Sequence, residues 1–116
     1  MSQVWRPLTA QEVEARITEM VRRIVERFSP DKVILFGSYA RGTAGPDSDV
    51  DLLVVMPVAG SKLDQTVDIR VALHGMGIAK DVVVVTPEQF EAERDLVGTI
   101  VYPAVREGRV LYARVA

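Results

Sequence analysis

The chain has 116 residues, 48% of them apolar, with a formal net charge of −2 and a pI near 5.4. That is enough apolar material for one domain with one packed core, and there is no basic excess of the kind a dedicated nucleic-acid binder carries. With no cysteine and a single histidine, His74, the sequence excludes disulfides, thiol nucleophiles, Cys-based zinc sites, Ser-His-Asp relays and histidine metal clusters.

Met1 to Pro7 read as a loose lead-in, in which Trp5 is the one residue suited to packing. Thr9-Ala10-Gln11-Glu12 is a capping box, with Leu8 and Val13 as its hydrophobic staple. Val13, Ile17, Met20, Val21, Ile24 and Phe28 then recur at helical spacing, which predicts a strongly amphipathic first helix packed on the core. Arg22-Arg23 on that helix reads as a solvated pair. Ser29-Pro30-Asp31 breaks the helix and feeds a strand, Lys32 to Phe36. A second strand is expected from Val50 to Met56, followed by a loop from Pro57 to Gly60. Ser61 is placed to cap a second helix, Lys62 to about Leu73, with Leu63, Val67 and either Ala72 or Leu73 facing the core. His74 beside Gly75 reads as a surface or capping residue.

Lys80-Asp81 opens a third strand through the β-branched run Val82 to Val85. Thr86-Pro87-Glu88-Gln89 has the marks of another helix start: a Thr cap, Pro at the first helical position and Gln closing the box, with Val85 and Phe90 as staple. Gly98-Thr99 interrupts that helix and Pro103 kinks or restarts it. Gly108 ends the last helix, and Arg109 to Tyr112 form a short edge strand. Helices alternate with strands, so the fold class is α/β (α+β), a mixed sheet of four to five strands flanked by helices. Charges interrupt every apolar stretch, so neither a signal peptide nor a membrane span is expected and the chain reads as cytoplasmic.

The chemistry concentrates between the first two strands, in Gly37-Ser38-Tyr39-Ala40-Arg41-Gly42 and Asp47-Ser48-Asp49-Val50-Asp51. Gly37 lets the backbone turn sharply and approach a ligand closely. Ser38 is suited to cap a helical turn over Tyr39, Ala40 and Arg41. Free N–H groups there, with the Ser38 hydroxyl and the charge of Arg41, suit phosphate. Asp49 and Asp51 leave the same face of a strand, and two such carboxylates repel unless a cation sits between them. A hard divalent ion fits, most simply Mg²⁺. Phosphate cradle and carboxylate pair together suit a nucleoside triphosphate.

Rival readings fail on single positions. A Walker A loop needs a Gly-Lys-Ser/Thr tripeptide, which is absent. An EF-hand loop starting at Asp47 would put Leu52 at the turn glycine and Val58 at the bidentate glutamate. A plain Gly-rich turn accounts for Gly37, Gly42, Gly45 and Pro46, but not for two carboxylates opening an apolar strand. Asp81 is the choice for a third carboxylate, because it too opens an apolar strand, one crossover later. Asp64 and Asp68 fall in a predicted helix and are expected to pair with its basic residues. Asp47 reads as a turn residue.

Gly-Ser-x-Ala-Arg-Gly followed by Asp-Ser-Asp-x-Asp at a strand start resembles the signature of the polymerase-beta-type nucleotidyltransferase superfamily, and the short chain is most similar to its minimal nucleotidyltransferase (MNT) family. The resemblance implies that Gly37, Ser38 and Arg41 hold the phosphates of ATP. It implies that Asp49, Asp51 and Asp81 bind two Mg²⁺ ions, with Mn²⁺ as the alternative. It further implies a HEPN-type helical toxin as partner, with this chain as antitoxin adenylylating a tyrosine on it. The superfamily's larger members add an acceptor-binding domain for which this chain has no room, so a partner chain or a second copy is expected to complete the site. The competing classes are a contact-only antitoxin with a vestigial site and a small-molecule nucleotidyltransferase completed by a partner. Tyr39 is a candidate for self-modification, with core packing as its ordinary role.

Overall fold

A computed structural model describes residues 7–115; Trp5 lies outside them. Helix α1 covers Ala10–Phe28. The capping box that starts it is complete: the Thr9 hydroxyl accepts from the Glu12 N–H, and the Glu12 carboxylate accepts from the Thr9 N–H. It stops at Ser29, whose left-handed backbone (φ 48°) returns its N–H to the Val25 carbonyl before Pro30. Strand β1 is Lys32–Phe36, a short helix α2 is Ser38–Arg41, and strand β2 is Val50–Val55. Helix α3, Lys62–Ala72, connects β2 to β3, Lys80–Val85. Helices α4, Pro87–Glu93, and α5, Val101–Glu107, lead to β4, Arg109–Ala113.

The four strands lie in the order β3-β2-β1-β4. β1 runs antiparallel to β2 and to β4, whereas β2 and β3 are parallel, joined by the α3 crossover that parallel neighbours require. Side chains alternate between the two faces of the sheet. Val33, Leu35, Val50, Leu52, Val54, Val82 and Val84 pack with Val13, Ile17, Met20 and Ile24 of α1 and with Ile69 and Leu73. On the other face Ile34, Leu53, Val55 and Val85 pack with Phe90 of α4 and with Val101 and Ala104 of α5.

Several sequence expectations need correction. Leu63 and Val67 do not face the core: they are 71% and 48% exposed, and α3 buries Ile69 and Ala72 instead, with Leu73 just past its end. α3 lies against β3, an edge strand, and against α1, so only its C-terminal half reaches the core. Asp64 and Asp68 are exposed and make no ion pair with their helix's cations, because Lys62 bonds to Gln89 and Arg70 to Asp81. That same bond takes the Gln89 side chain away from the Thr86 cap, which keeps only the Gln89 N–H. Arg22 pairs with Glu19 and Glu26, but Arg23 is not merely solvated: it also donates to the carbonyls of Ala72 and His74 beyond α3. The last helix restarts at Val101, with Pro103 inside its first turn where no N–H is missed, and the Thr99 hydroxyl accepts from the Tyr102 N–H. Gly108 does end it, in an extended backbone; a Cβ there would sit 2.1 Å from the Ala104 carbonyl oxygen and 2.8 Å from that of Leu35.

Candidate active site

The C-terminal end of β1 and the N-terminal ends of β2 and β3 meet at one end of the sheet. Antiparallel pairing sets Phe36 opposite Asp51, and parallel pairing sets Asp51 opposite Asp81. Asp49 lies one residue before β2 begins, not on the strand as the sequence suggested, yet close enough for its charge to act on Asp51. Asp51 and Asp81 are on the face that α4 and α5 cover farther along, at Leu53, Val55 and Val85. The three carboxylates therefore stand beyond the apolar cover: Asp49 is exposed, and Asp51 and Asp81 are half-buried.

Gly37 follows Phe36 directly and packs on Asp51. Its φ of 75° is left-handed, and a Cβ would come within 2.2 Å of Asp51 Oδ2, so position 37 has room for glycine alone. Gly37, and not Ser38, is the N-cap of α2: the N–H groups of Ala40 and Arg41 both donate to the Gly37 carbonyl, while Ser38 is the first helical residue and makes no side-chain cap bond. That corrects the capping role expected of Ser38. Tyr39 packs against the α1 face of the core, the ordinary role. Arg41 lies 3.6 Å from Glu107 at the end of α5. Ser48 closes the intervening loop by accepting from the Gly45 N–H.

The electrostatics follow from this crowding. Asp51's carboxyl is pushed above its ordinary range, first by burial and then by the charges of Asp81 and Asp49, with Arg41 opposing. The donor set is all carboxylate oxygen, the chemistry a hard divalent ion takes. As the side chains stand, no three acidic or histidine groups among the described residues converge on one point, and Asp81 is engaged by Arg70 at 2.5 Å. Neither Arg70 nor Glu107 was singled out from the sequence. Arg70 becomes visible only once the register brings the end of α3 beside the start of β3.

A cleft of about 750 Å³ lies on the other side of the motif loop, between the start of α1, residues 42–48 and the turn at 77–79. Tyr39 and Ser48 line it; Gly37, Ser38, Arg41, Asp49, Asp51 and Asp81 do not. No described helix is long and apolar enough to cross a membrane.

The four-stranded mixed sheet flanked by helices is the fold of minimal nucleotidyltransferases. The chain belongs to the nucleotidyltransferase domain family, whose model matches residues 17–106. Protein adenylyltransferase MntA of Thermococcus cleftensis is 47% identical over 47 residues, 40% of this chain and 48% of that protein. A Methanocaldococcus jannaschii protein, MJ0604, named as a candidate protein adenylyltransferase, is 32% identical over 102 residues, 85% of this chain and 97% of that one. The chain thus spans about half of the first relative and nearly all of the second. Among solved structures, a candidate minimal nucleotidyltransferase aligns with TM-score 0.60 and 32% identity, over 88% of this chain and 95% of that one. A toxin–antitoxin crystal structure with AMP-PNP shares the fold at TM-score 0.50 and 22% identity, over 87% of this chain and 73% of that chain.

Proposed function

We propose that this chain is a metal-dependent protein adenylyltransferase that moves AMP from ATP to a tyrosine hydroxyl of a HEPN-type toxin and thereby acts as its antitoxin. The observation that carries the reading is the register that sets Asp51 beside Asp81, with Gly37 packed on Asp51. The names of the relatives support adenylyl transfer, and the toxin–antitoxin structure with AMP-PNP supports both the pairing and the nucleotide.

In this reading the Ser38 hydroxyl and the first N–H groups of α2 bind the phosphates, with Arg41 adding charge. Asp49, Asp51 and Asp81 hold divalent ions, Mg²⁺ or Mn²⁺. Such ions, when bound, neutralise the triphosphate and the attacking and leaving oxygens. The acceptor oxygen attacks the α-phosphorus, the bond from the α-phosphorus to the pyrophosphate oxygen breaks, and Asp81 takes the hydroxyl proton. No nucleophilic side chain is required, which agrees with a chain lacking cysteine. The acceptor is brought by the partner, or by a second copy of this chain.

The test is the intact mass of a HEPN-type partner before and after incubation with this protein, Mg²⁺ and ATP. One or more added AMP masses are expected. Asp49→Asn and Asp51→Asn should each slow their appearance by at least about 100-fold, the scale seen when a group stabilising transition-state charge is removed. Near-normal transfer by either variant would refute the assignment. A tight complex with no mass change would point to neutralisation by contact alone.

A further inference from the structure

Arg70 sits in the last turn of α3, on the face of the sheet opposite the carboxylates, and its guanidinium meets Asp81 Oδ1 at 2.5 Å. β3 is an edge strand, so the arginine reaches its first residues past the free edge. Its footing is firm. Ile69, the preceding residue, is fully buried, and Leu73 one turn on is too. Arg23 of α1 holds the carbonyls of Ala72 and His74, and Arg16 of α1 donates to the carbonyl of Met76, so the α3–β3 connection is tied to α1. Arg41 of α2, which also acts on Asp51, is paired with Glu107. Among the described residues, Arg70 is the one cation in an ion pair with Asp49, Asp51 or Asp81.

We propose that Arg70 is a positioning residue that competes with a metal ion for Asp81, so that the ion gains its third carboxylate only by displacing the arginine. The inference rests on the reading of Asp81 as a ligand. A carboxylate oxygen bonded to a guanidinium is not available to an ion. The apparent metal affinity therefore falls by the fraction of molecules in which Asp81 is free. Both side chains are about half exposed, at 51% and 50%, so the pair is of the screened surface kind and the penalty is modest. The arrangement partly neutralises the carboxylate cluster and makes metal loading more dependent on the triphosphate, which brings further oxygen ligands.

The test is Mn²⁺ binding to the intact, nucleotide-free protein, read from the free-ion EPR signal. Wild type, Arg70→Met, Arg70→Lys, Asp81→Asn and the Arg70→Met/Asp81→Asn double variant are compared, each checked for fold by circular dichroism. Asp81→Asn should weaken binding. Arg70→Met should tighten it by about two- to fivefold, the range an exposed pair allows. Arg70→Lys should stay near wild type, and the double variant should match Asp81→Asn. If Asp81→Asn weakens binding but Arg70→Met does not tighten it, the role of Arg70 is refuted while Asp81 stands as a ligand. If Asp81→Asn changes nothing in either background, Asp81 is not a ligand and the site assignment fails with it. Equal tightening by Arg70→Met with and without Asp81 would mean a general field effect and would also overturn the proposal.

Discussion

At Asp51, stability and the proposed site chemistry pull in opposite directions. The residue is half-buried, faces Asp81 across the parallel register, and has Asp49 just before its strand. Its carboxyl is held above the ordinary value of 3.8 by burial and by those two charges. Between 3.8 and the raised value, the folded protein keeps a proton that the unfolded chain has released. The stabilisation from that proton is complete below the ordinary value and is lost as pH rises through the folded one. At neutral pH the ionised Asp51 is therefore a net burden on the fold. Asp51→Asn should raise the urea midpoint of the metal-free protein at pH 7, and the gain should vanish below about pH 4, where the unfolded carboxyl is also protonated. A gain that stayed constant down to pH 3 would mean that the charge is not its source. The same residue shows what the sequence made legible. Gly37 and the paired aspartates were readable because strand periodicity and a short turn fix their relation locally. Arg70 and Glu107 were not, since each reaches the site from another helix and no local spacing encodes that contact.

At the level of elements, the strands were readable because uninterrupted β-branched runs bounded by turn residues leave few alternatives. The first helix was readable because its cap and its apolar stripe agree. α3 misled for a physical reason. Leu63, Val67 and Val71 recur four apart and make a regular stripe, yet all three are exposed, and the core is served by Ile69, Ala72 and Leu73. Periodicity identifies that a helix has an apolar face; it does not say which face the rest of the molecule covers when the helix lies over a sheet edge. The energetic consequence is a sharp asymmetry within one turn and a half. Ile69→Ala should cost about 2–5 kcal/mol, as expected for a fully buried aliphatic side chain, whereas Leu63→Gln should change stability by less than about 0.5 kcal/mol. Urea denaturation of the two variants decides it; comparable losses would mean that Leu63 packs after all.

For the whole molecule, the arrangement divides labour along the chain. The turn and short helix after β1, the start of β2 and the start of β3, all within residues 32–85, supply every candidate site residue, while α4 and α5 close the second face. β4 is added last, on the side of β1 away from β2, and its five residues are exposed or only half-covered. Its backbone ladder runs to β1 alone, through a register shift between Val33 and Ile34, and Arg109 adds an exposed side-chain bond to Glu14 of α1. A strand attached in that way can detach without disturbing the other three, and native-state hydrogen exchange would report it as a separate opening event. Amides of Arg109–Ala113 should trade for deuterium well before those of Leu52–Val54, which are fully buried and lie between two neighbouring strands. If the two sets exchanged in step, the sheet would open as a unit. If they separate, the molecule can fray at its last strand while the end of the sheet bearing the carboxylates keeps its shape.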